Sequence, residues 1–423
     1  MQKFYTLLIF AFAAASLNAQ ITQPLQPTTG PGSNNLNYTG ATLYDYGTNA
    51  NADGFWLFEP TGPTPDSANV VVFIHGWGET NLKFYGAFID RIVRAGNIVI
   101  CPRYEKTVDT VYGTYTDSCA RGIQLALEVL QTAGHVKPRL YNYFVLGHSM
   151  GGVLTANMST LYNHYGLPKP LAAFSMEPGA NITDLLLANY DGFPADVKYL
   201  IAIGHDDAIV DSTAGKILFY QTTAVPTSHK NLVCQYADSH GTPVITATHF
   251  EPCSITSNSL YDDGESNIVT LVSSGVPPDV VDFYCYWKLW DALYRCALSG
   301  TDCDIAFGDT YAQKYMGTWS DSTPITPLYV IPNGPTAVNV VKEANSVAIF
   351  PNPAGRGSFE LSVMKTEGSP VLELFDVNGR QIMQQQIVAN NTAIKHQLSP
   401  GMYFYQVQNT VDGVIAKGKL VVQ

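Results

Sequence analysis

Residues 143–152 read YFVLGHSMGG. The segment opens with four apolar residues, which predict a buried strand, and a helical pattern begins directly after Ser149. A serine at a tight turn from strand to helix is held with its hydroxyl above the sheet, and glycines two residues away on either side leave room for that turn. The stretch therefore predicts that Ser149 is a nucleophile at the end of a strand.

Apolar runs and helical patterns alternate on both sides of this segment. Strand-like runs occupy residues 70–74, 98–100, 143–146, 172–174, 199–203 and 231–234, with helical patterns at 117–132, 150–163, 212–221 and 280–298, and an edge hairpin at 41–46 and 54–58. Apolar strands separated by amphipathic helices predict a mostly parallel sheet with helices on both faces. We expect this α/β domain to span residues 20–335.

The pattern changes in the proline- and glycine-rich residues 332–335. Short alternating strands follow, separated by Asn378-Gly379 and Asp412-Gly413, which are strong hairpin turns because both residues of each pair can adopt positive φ. We expect a linker at residues 336–342 and a small all-β sandwich at 343–423.

The composition restricts the possible partners. Lys and Arg number 23 against 35 Asp and Glu, a formal charge of −12, and only 14% of residues are charged, against about 25% in an ordinary soluble domain. Such a surface suits an exported protein. No run of Lys or Arg could neutralise a row of phosphates, so nucleic acid is not an expected partner.

The N-terminal residues 1–19 have the pattern of a secretory signal peptide. Lys3 precedes an apolar run from Phe4 to Leu17, and small Ala19 precedes polar Gln20. The run is too short to span a bilayer, and no other apolar stretch reaches 18 residues. We expect an exported chain that begins near Gln20 and has no transmembrane anchor.

The seven cysteines of the chain can form disulfides in an exported protein, but the odd number leaves at least one thiol unpaired. Cys296 and Cys303 flank a short turn and are the best pair, and closing so short a loop would stabilise the fold by about 2 to 3 kcal/mol. None lies in a CxxC motif, so we expect no metal site.

The serine segment and the sequence FIHGWG at residues 73–78 resemble the α/β-hydrolase superfamily, and the resemblance covers about residues 40–330. FIHGWG is similar to the family's His-Gly-X-Gly segment. The resemblance implies that the backbone N–H groups of Trp77 and Met150 form an oxyanion hole. It also implies that His75 and His148 brace the loops and do no proton chemistry.

The family order Ser, Asp, His implies an acid and a base that follow Ser149. The sequence GHDDAIV at residues 204–210 comes directly after a predicted strand and resembles the family's Gly-X-X-Asp-X-X-Val loop, in which Asp207 matches the acid. Asp206 and Asp211 are the alternatives.

Three histidines, His229, His240 and His249, are candidates for the base. His240 ranks first, because it follows a predicted strand within ADSH, which resembles the Gly-Ala-Ser-His segment of cutinase-like and polyester-hydrolase enzymes. His249, within THFEP, resembles the His-Phe-Ala-Pro continuation of that segment, as if an insertion had separated the two halves, and is the alternative. His229 precedes the strand and would lie at the wrong end of the sheet.

Ser149, His240 and Asp207 would together transfer the acyl group of an ester to water through an acyl-enzyme. We expect a secreted carboxylic-ester hydrolase of the esterase, lipase or cutinase type, with apolar or polymeric esters as the favoured substrates and no metal or organic cofactor. An acyltransferase or a serine peptidase would share the triad. A non-catalytic surface-adhesion protein is the alternative of a different class.

The tail resembles the C-terminal sorting domain of type IX secretion cargo over residues 343–423. Its matching segments are residues 348–354, 374–380, 401–405 and 418–423. The resemblance implies a Gram-negative producer whose type IX machinery is a partner of this tail and commonly removes it, which leaves the protein secreted or at the cell surface.

Overall fold

The computed structural model of this protein describes residues 20–332, apart from 48–51, 106–113, 180–184, 263 and 265–275, and residues 347–422, apart from 351–353, 356, 364–369, 377–379, 388, 390 and 410–412. The expected signal peptide (1–19) and the expected linker (336–342) lie outside these residues. The chain divides into two units, Met1–Asn333 and Gly334–Gln423.

Within the described part of the first unit, nine strands form one sheet in the order β1-β2-β4-β3-β5-β6-β7-β8-β9. Neighbouring strands from β4 to β8 run parallel, whereas β1, β2 and β9 pair antiparallel at the two ends. The expected α/β class is therefore confirmed. The strands are β1 Gly40–Tyr46, β2 Phe55–Thr61, β3 Ser67–Ile74, β4 Asn97–Pro102, β5 Lys137–His148, β6 Ala172–Met176, β7 Lys198–Gly204, β8 Lys230–Gln235 and β9 Tyr329–Ile331.

Helices cover both faces of this sheet. They are α1 Gly86–Arg94, α2 Tyr115–Val129, α3 Met150–Thr160, α4 Thr213–Gln221, α5 Trp287–Ser299, α6 Cys303–Ala306 and α7 Tyr311–Lys314. Strand side chains alternate between the faces: in β3, Val71 and Phe73 pack with α1 and α5, and Val70 and Val72 pack with α2 and α3. No helix among the described residues has the length and apolar character needed to cross a membrane.

The parallel strands bring several chain segments to one edge of the sheet. In register, His148 at the end of β5 lies beside Met176 of β6, and Gly204 at the end of β7 lies beside Gln235 of β8. The loops after β5, β7 and β8 therefore meet at this edge, where open α/β sheets place their sites.

The helix expected at residues 280–298 lies in the core and carries the expected disulfide. A single π-helical turn, Asp282–Tyr286, leads into α5. Gly300, in the left-handed conformation with φ 72°, ends α5, and the Cys296–Cys303 disulfide joins it to α6 across a Cα–Cα distance of 4.7 Å. The other five cysteines are buried free thiols.

The described residues of the second unit form two antiparallel sheets, β10-β11-β14 and β13-β12-β15-β16. Residues from both sheets share one apolar core, including Phe359, Leu361, Leu372 and Leu420. The expected turn Asn378-Gly379 lies outside the described residues. The strands are β10 Val347–Phe350, β11 Ser358–Val363, β12 Val371–Phe375, β13 Gln381–Gln386, β14 Asn391–Lys395, β15 Gly401–Asn409 and β16 Gly413–Val422.

Candidate active site

Ser149 stands between the last residue of β5 and the first residue of α3 in a strained backbone conformation. Its φ is 56° and its ψ is −123°, a region that non-glycine residues rarely adopt and that costs about 1 to 3 kcal/mol. The turn is held by the Ser149 N–H, which donates to the Met176 carbonyl at 2.9 Å, and by the Ser149 carbonyl, which accepts from the Gly152 and Gly179 N–H groups at 2.9 and 3.1 Å.

The glycines that flank Ser149 are required by close backbone approaches. A Cβ on Gly147 would lie 2.4 Å from the carbonyl oxygen of Gly151, and a Cβ on Gly151 would lie 2.1 Å from the carbonyl oxygen of Ile74 at the end of β3. Any larger residue would push the loop after β3 away from the serine turn.

His249 joins Ser149 to Asp207. Its Nε2 lies 2.9 Å from Ser149 Oγ, and its Nδ1 lies 2.8 Å from Asp207 Oδ2. Because a carboxylate can only accept, Nδ1 carries the proton and Nε2 accepts from the serine hydroxyl. All three side chains are buried, and in this tautomer the imidazole can take the proton of the serine.

Asp207 is fixed in the loop after β7. Its second oxygen, Oδ1, accepts from the backbone N–H groups of Ile209 at 2.9 Å and Val210 at 3.1 Å. Burial raises the pKa of the Asp207 carboxyl, but the bonds from His249 and from the two N–H groups outweigh burial and hold it below its usual value. Asp207 is therefore an anion that fixes the orientation of the ring.

The two alternative acids, Asp206 and Asp211, contact groups other than His249. Asp206 Oδ1 lies 2.7 Å from Nδ1 of the exposed His205. Asp211 accepts from the N–H of Thr213 at 2.6 Å, at the start of α4.

The environment of His249 keeps its imidazole neutral. Burial is the largest cause and lowers its pKa, and the nearby His148 lowers it further. Asp207 and Glu79 raise it, but by less, so the pKa of His249 lies below its usual value. A neutral imidazole at neutral pH is what a general base requires.

His240, ranked first from the sequence, does not reach Ser149, and the ranking is corrected here in favour of His249. His240 Nε2 lies 2.8 Å from Asp321 Oδ2, and its side chain is 37% exposed. The reason is the excursion that the chain makes after β8. Asp238 and Ile245 pair with each other at 2.9 and 2.8 Å, so His240 lies in a loop that is closed before the chain returns to the sheet.

The returning segment brings His249 to the edge of the sheet. The Gln235 side chain at the end of β8 donates to the Thr246 carbonyl at 2.8 Å, and the Asp206 N–H donates to the Ala247 carbonyl at 3.0 Å. His229 lies in a 3₁₀ turn directly before β8, at the opposite end of that strand.

The loop of residues 75–79, which we call the oxyanion loop, is held by buried side chains. The Tyr104 hydroxyl donates to the His75 carbonyl at 2.9 Å, the Gly76 N–H donates to the Tyr85 hydroxyl at 3.0 Å, and the Gly78 N–H donates to Glu105 at 2.6 Å. The loop also carries Trp77, which packs on the same apolar cluster as Met150. The oxyanion roles of the backbone N–H groups of Trp77 and Met150 remain predictions.

A buried network that no motif indicated lies beneath the serine turn. Tyr85 hydrogen-bonds to Glu79, and its hydroxyl lies 2.7 Å from His148 Nδ1. Glu79, His148 and Cys253 together place three metal-ligand atoms within 4.8 Å. The Tyr85 hydroxyl contacts both Glu79 Oε2 and His148 Nδ1, and we interpret the group as a hydrogen-bond network.

The sequence comparisons bear on the second unit. A family model described as the secretion system C-terminal sorting domain matches residues 348–423. The search of curated proteins found no match. The tail is thus a sorting domain, and the chain is a type IX secreted protein of a Gram-negative bacterium, released or attached to the cell surface.

Proposed function

We propose that this protein is a secreted serine hydrolase that cleaves carboxylic esters. The observation that carries the proposal is the hydrogen-bonded series Ser149 Oγ, His249, Asp207, in which both distances are below 3 Å. The position of the serine at a strained turn from strand to helix, and the chain order Ser, Asp, His, also match the α/β-hydrolase pattern.

The reaction follows from this arrangement in two halves. His249 Nε2 takes the Ser149 proton as Oγ attacks the ester carbonyl, and the imidazolium then gives that proton to the departing alcohol. In the second half, water loses a proton to His249 and attacks the acyl-serine. The carboxylic acid leaves, and Ser149 regains its proton. Asp207 stabilises the imidazolium in both halves.

The negative charge that develops on the carbonyl oxygen of the ester needs hydrogen-bond donors to stabilise it. Met150 is the first residue of α3, whose N-terminus favours negative charge, and its N–H is the proposed donor on that side. The N–H of Trp77 in the oxyanion loop is the proposed second donor. Loss of one such donor typically lowers the rate by about 10² to 10³.

Apolar side chains near the triad support an apolar acyl group or a polymer chain as substrate. Met150 and the half-buried Trp77 belong to one apolar cluster beside Ser149. Ile209, two residues after the catalytic acid, is 44% exposed. An exposed large apolar residue at this edge provides contact area that a small polar metabolite would not use.

The proposal is tested with the purified chain from Gln20 to Gln423. We expect it to hydrolyse p-nitrophenyl esters of increasing acyl length and to release acid from a solid polyester, whereas Ser149→Ala, at equal folded content, should lose all but a trace of activity. Absence of ester hydrolysis, or activity retained in Ser149→Ala, would refute the proposal. Cleavage of p-nitroanilides alone would favour a peptidase, and ester exchange with an added alcohol in place of hydrolysis would favour an acyltransferase.

A further inference from the structure

The buried hydroxyl of Tyr85 makes hydrogen-bond contacts with three groups. It accepts from the Gly76 N–H at 3.0 Å, lies 2.7 Å from His148 Nδ1, and donates to Glu79. Tyr85 has no exposed surface, so water cannot replace any of these bonds. The hydroxyl therefore connects the oxyanion loop directly to His148.

His148 in turn contacts the backbone of the proposed base, His249. Its Nε2 lies 2.8 Å from the backbone carbonyl oxygen of His249. A carbonyl can only accept, so this nitrogen carries a proton and donates. The residue directly before the nucleophile thus holds the backbone of the residue that deprotonates the nucleophile.

Counting protons shows that the contacts of Tyr85, Glu79 and His148 need one proton more than the Tyr85 hydroxyl supplies. The single proton of Tyr85 cannot serve both the Glu79 carboxylate and an unprotonated Nδ1 of His148, so one further proton must lie on Glu79 or on His148. Burial raises the pKa of Glu79, but the bonds from His148 and Tyr85 outweigh it and hold that pKa below its usual value. The further proton lies between Glu79 Oε2 and His148 Nδ1, which are 3.5 Å apart.

We propose that Tyr85 and His148 are positioning residues that tie the oxyanion loop to the general base His249. The inference rests on the proposed function, because it assigns these residues a role in that reaction. Neither residue touches substrate. They fix the distance between the group that accepts the serine proton and the loop that receives the developing negative charge, a distance on which the rate depends steeply.

The connection from Tyr85 through His148 to His249, which we call the bridge, also affects the pH dependence of the reaction. The titratable groups that face His249 are Asp207, His148 and Glu79, and those that face His148 are Tyr85, Glu79, Cys253 and His249. The rings of His148 and His249 are 4.7 Å apart, so a positive charge on His148 disfavours protonation of the base. Without the His148 ring, the pKa of His249 should be higher.

The first test uses Tyr85→Phe, which removes one oxygen and keeps the ring. We expect kcat for a soluble p-nitrophenyl ester to fall about tenfold or more, the effect of roughly 1.4 kcal/mol, with KM changed about twofold or less. The matched control is Tyr190→Phe, because the Tyr190 hydroxyl is also buried and bonds to Asn157 at 2.9 Å and to the Leu187 N–H at 3.4 Å. The control should lose stability and keep its kcat.

The second test measures the pH dependence of the rate, which the loss of a residue with a merely structural role would not change. In His148→Gln the amide can still donate to the His249 carbonyl, but the imidazole that lowers the pKa of His249 is gone. We expect partial retention of kcat and an acid limb of kcat/KM displaced to higher pH. The ring titration of His249, followed by NMR without substrate, should move in the same direction.

The outcomes separate this inference from the proposed function. If wild type hydrolyses esters, but folded Tyr85→Phe matches Tyr190→Phe in kcat and His148→Gln keeps the wild-type acid limb, the bridge is refuted. If wild type hydrolyses no ester, the proposed function fails, and the NMR titration still decides whether His148 acts on His249. If Tyr85→Phe does not fold, His148→Gln and NMR of wild type decide, where slow exchange of the Nε2 proton of His148 supports the bridge and fast exchange of that proton refutes it.

Discussion

Asp207 Oδ2 lies 2.8 Å from Nδ1 of His249, although the two residues are 42 positions apart in the chain. The contact exists because β7 and β8 are parallel neighbours, so that the loops leaving both strands meet at one edge of the sheet. It fixes the tautomer of the ring, and thereby decides which nitrogen faces Ser149.

Substitution of the two candidate histidines should separate their roles. We expect His249→Ala to lose nearly all esterase activity, several kcal/mol of transition-state stabilisation, because it removes the group that takes the serine proton. His240→Ala is the matched control, and it should change kcat/KM by about twofold or less, since an exposed pair such as that of His240 with Asp321 contributes little. Initial rates at matched circular dichroism are the measurement. A larger loss in His240→Ala than in His249→Ala would contradict the site described above.

The parts of the site that could be predicted from the sequence are those encoded locally. Ser149 lies in a turn whose glycines, strand and helix are contiguous in the chain, and Asp207 directly follows an apolar strand. The choice between His240 and His249 depends on the pairing of Asp238 with Ile245. That pairing closes the excursion after β8, and no motif within the segment encodes it.

The network beneath the site could not be predicted for a similar reason. His148 belongs to the serine motif, but its partners, Glu79 and Tyr85, come from the loop and helical turn after β3 and meet it only in the folded chain. Strand β9 was also missed, because its three residues, Tyr329–Ile331, are too few to show a period of two.

The disulfide gives a prediction about stability that is independent of catalysis. Replacing both cysteines, in Cys296→Ala/Cys303→Ala, should lower the free energy of unfolding of the first unit by about 2 to 3 kcal/mol, because a short loop is no longer closed in the unfolded chain. Urea unfolding followed by tryptophan fluorescence measures it. The kcat of the variant should equal that of wild type, and an unchanged urea midpoint would mean that the bond does not contribute to stability.

Secretion gives a prediction about the chemical form of the mature protein. The chain carries a sorting domain at residues 348–423, and the expected signal peptide ends at Ala19. We expect the protein from culture supernatant to begin at Gln20 and to end near residue 340, as measured by intact mass. A full-length tail on the secreted protein would instead favour surface attachment through this unit.

The pH dependence of the reaction should follow the ionisation of His249. Burial lowers its pKa below the usual value of 6.5, and the base must be neutral to accept the serine proton, so kcat/KM should be constant near neutral pH and fall only as the pH drops through a midpoint below 6.5. Below that midpoint the rate should fall about tenfold per pH unit, as for one group that must lose one proton. Enzyme held at each acidic pH and then assayed at pH 7.5 should recover full activity, which separates titration from acid unfolding. A reversible limb centred above 6.5 would mean that the attraction of Asp207 and Glu79 for the His249 imidazolium outweighs burial and the opposing effect of His148. It would remove the argument that His249 rests as a neutral base.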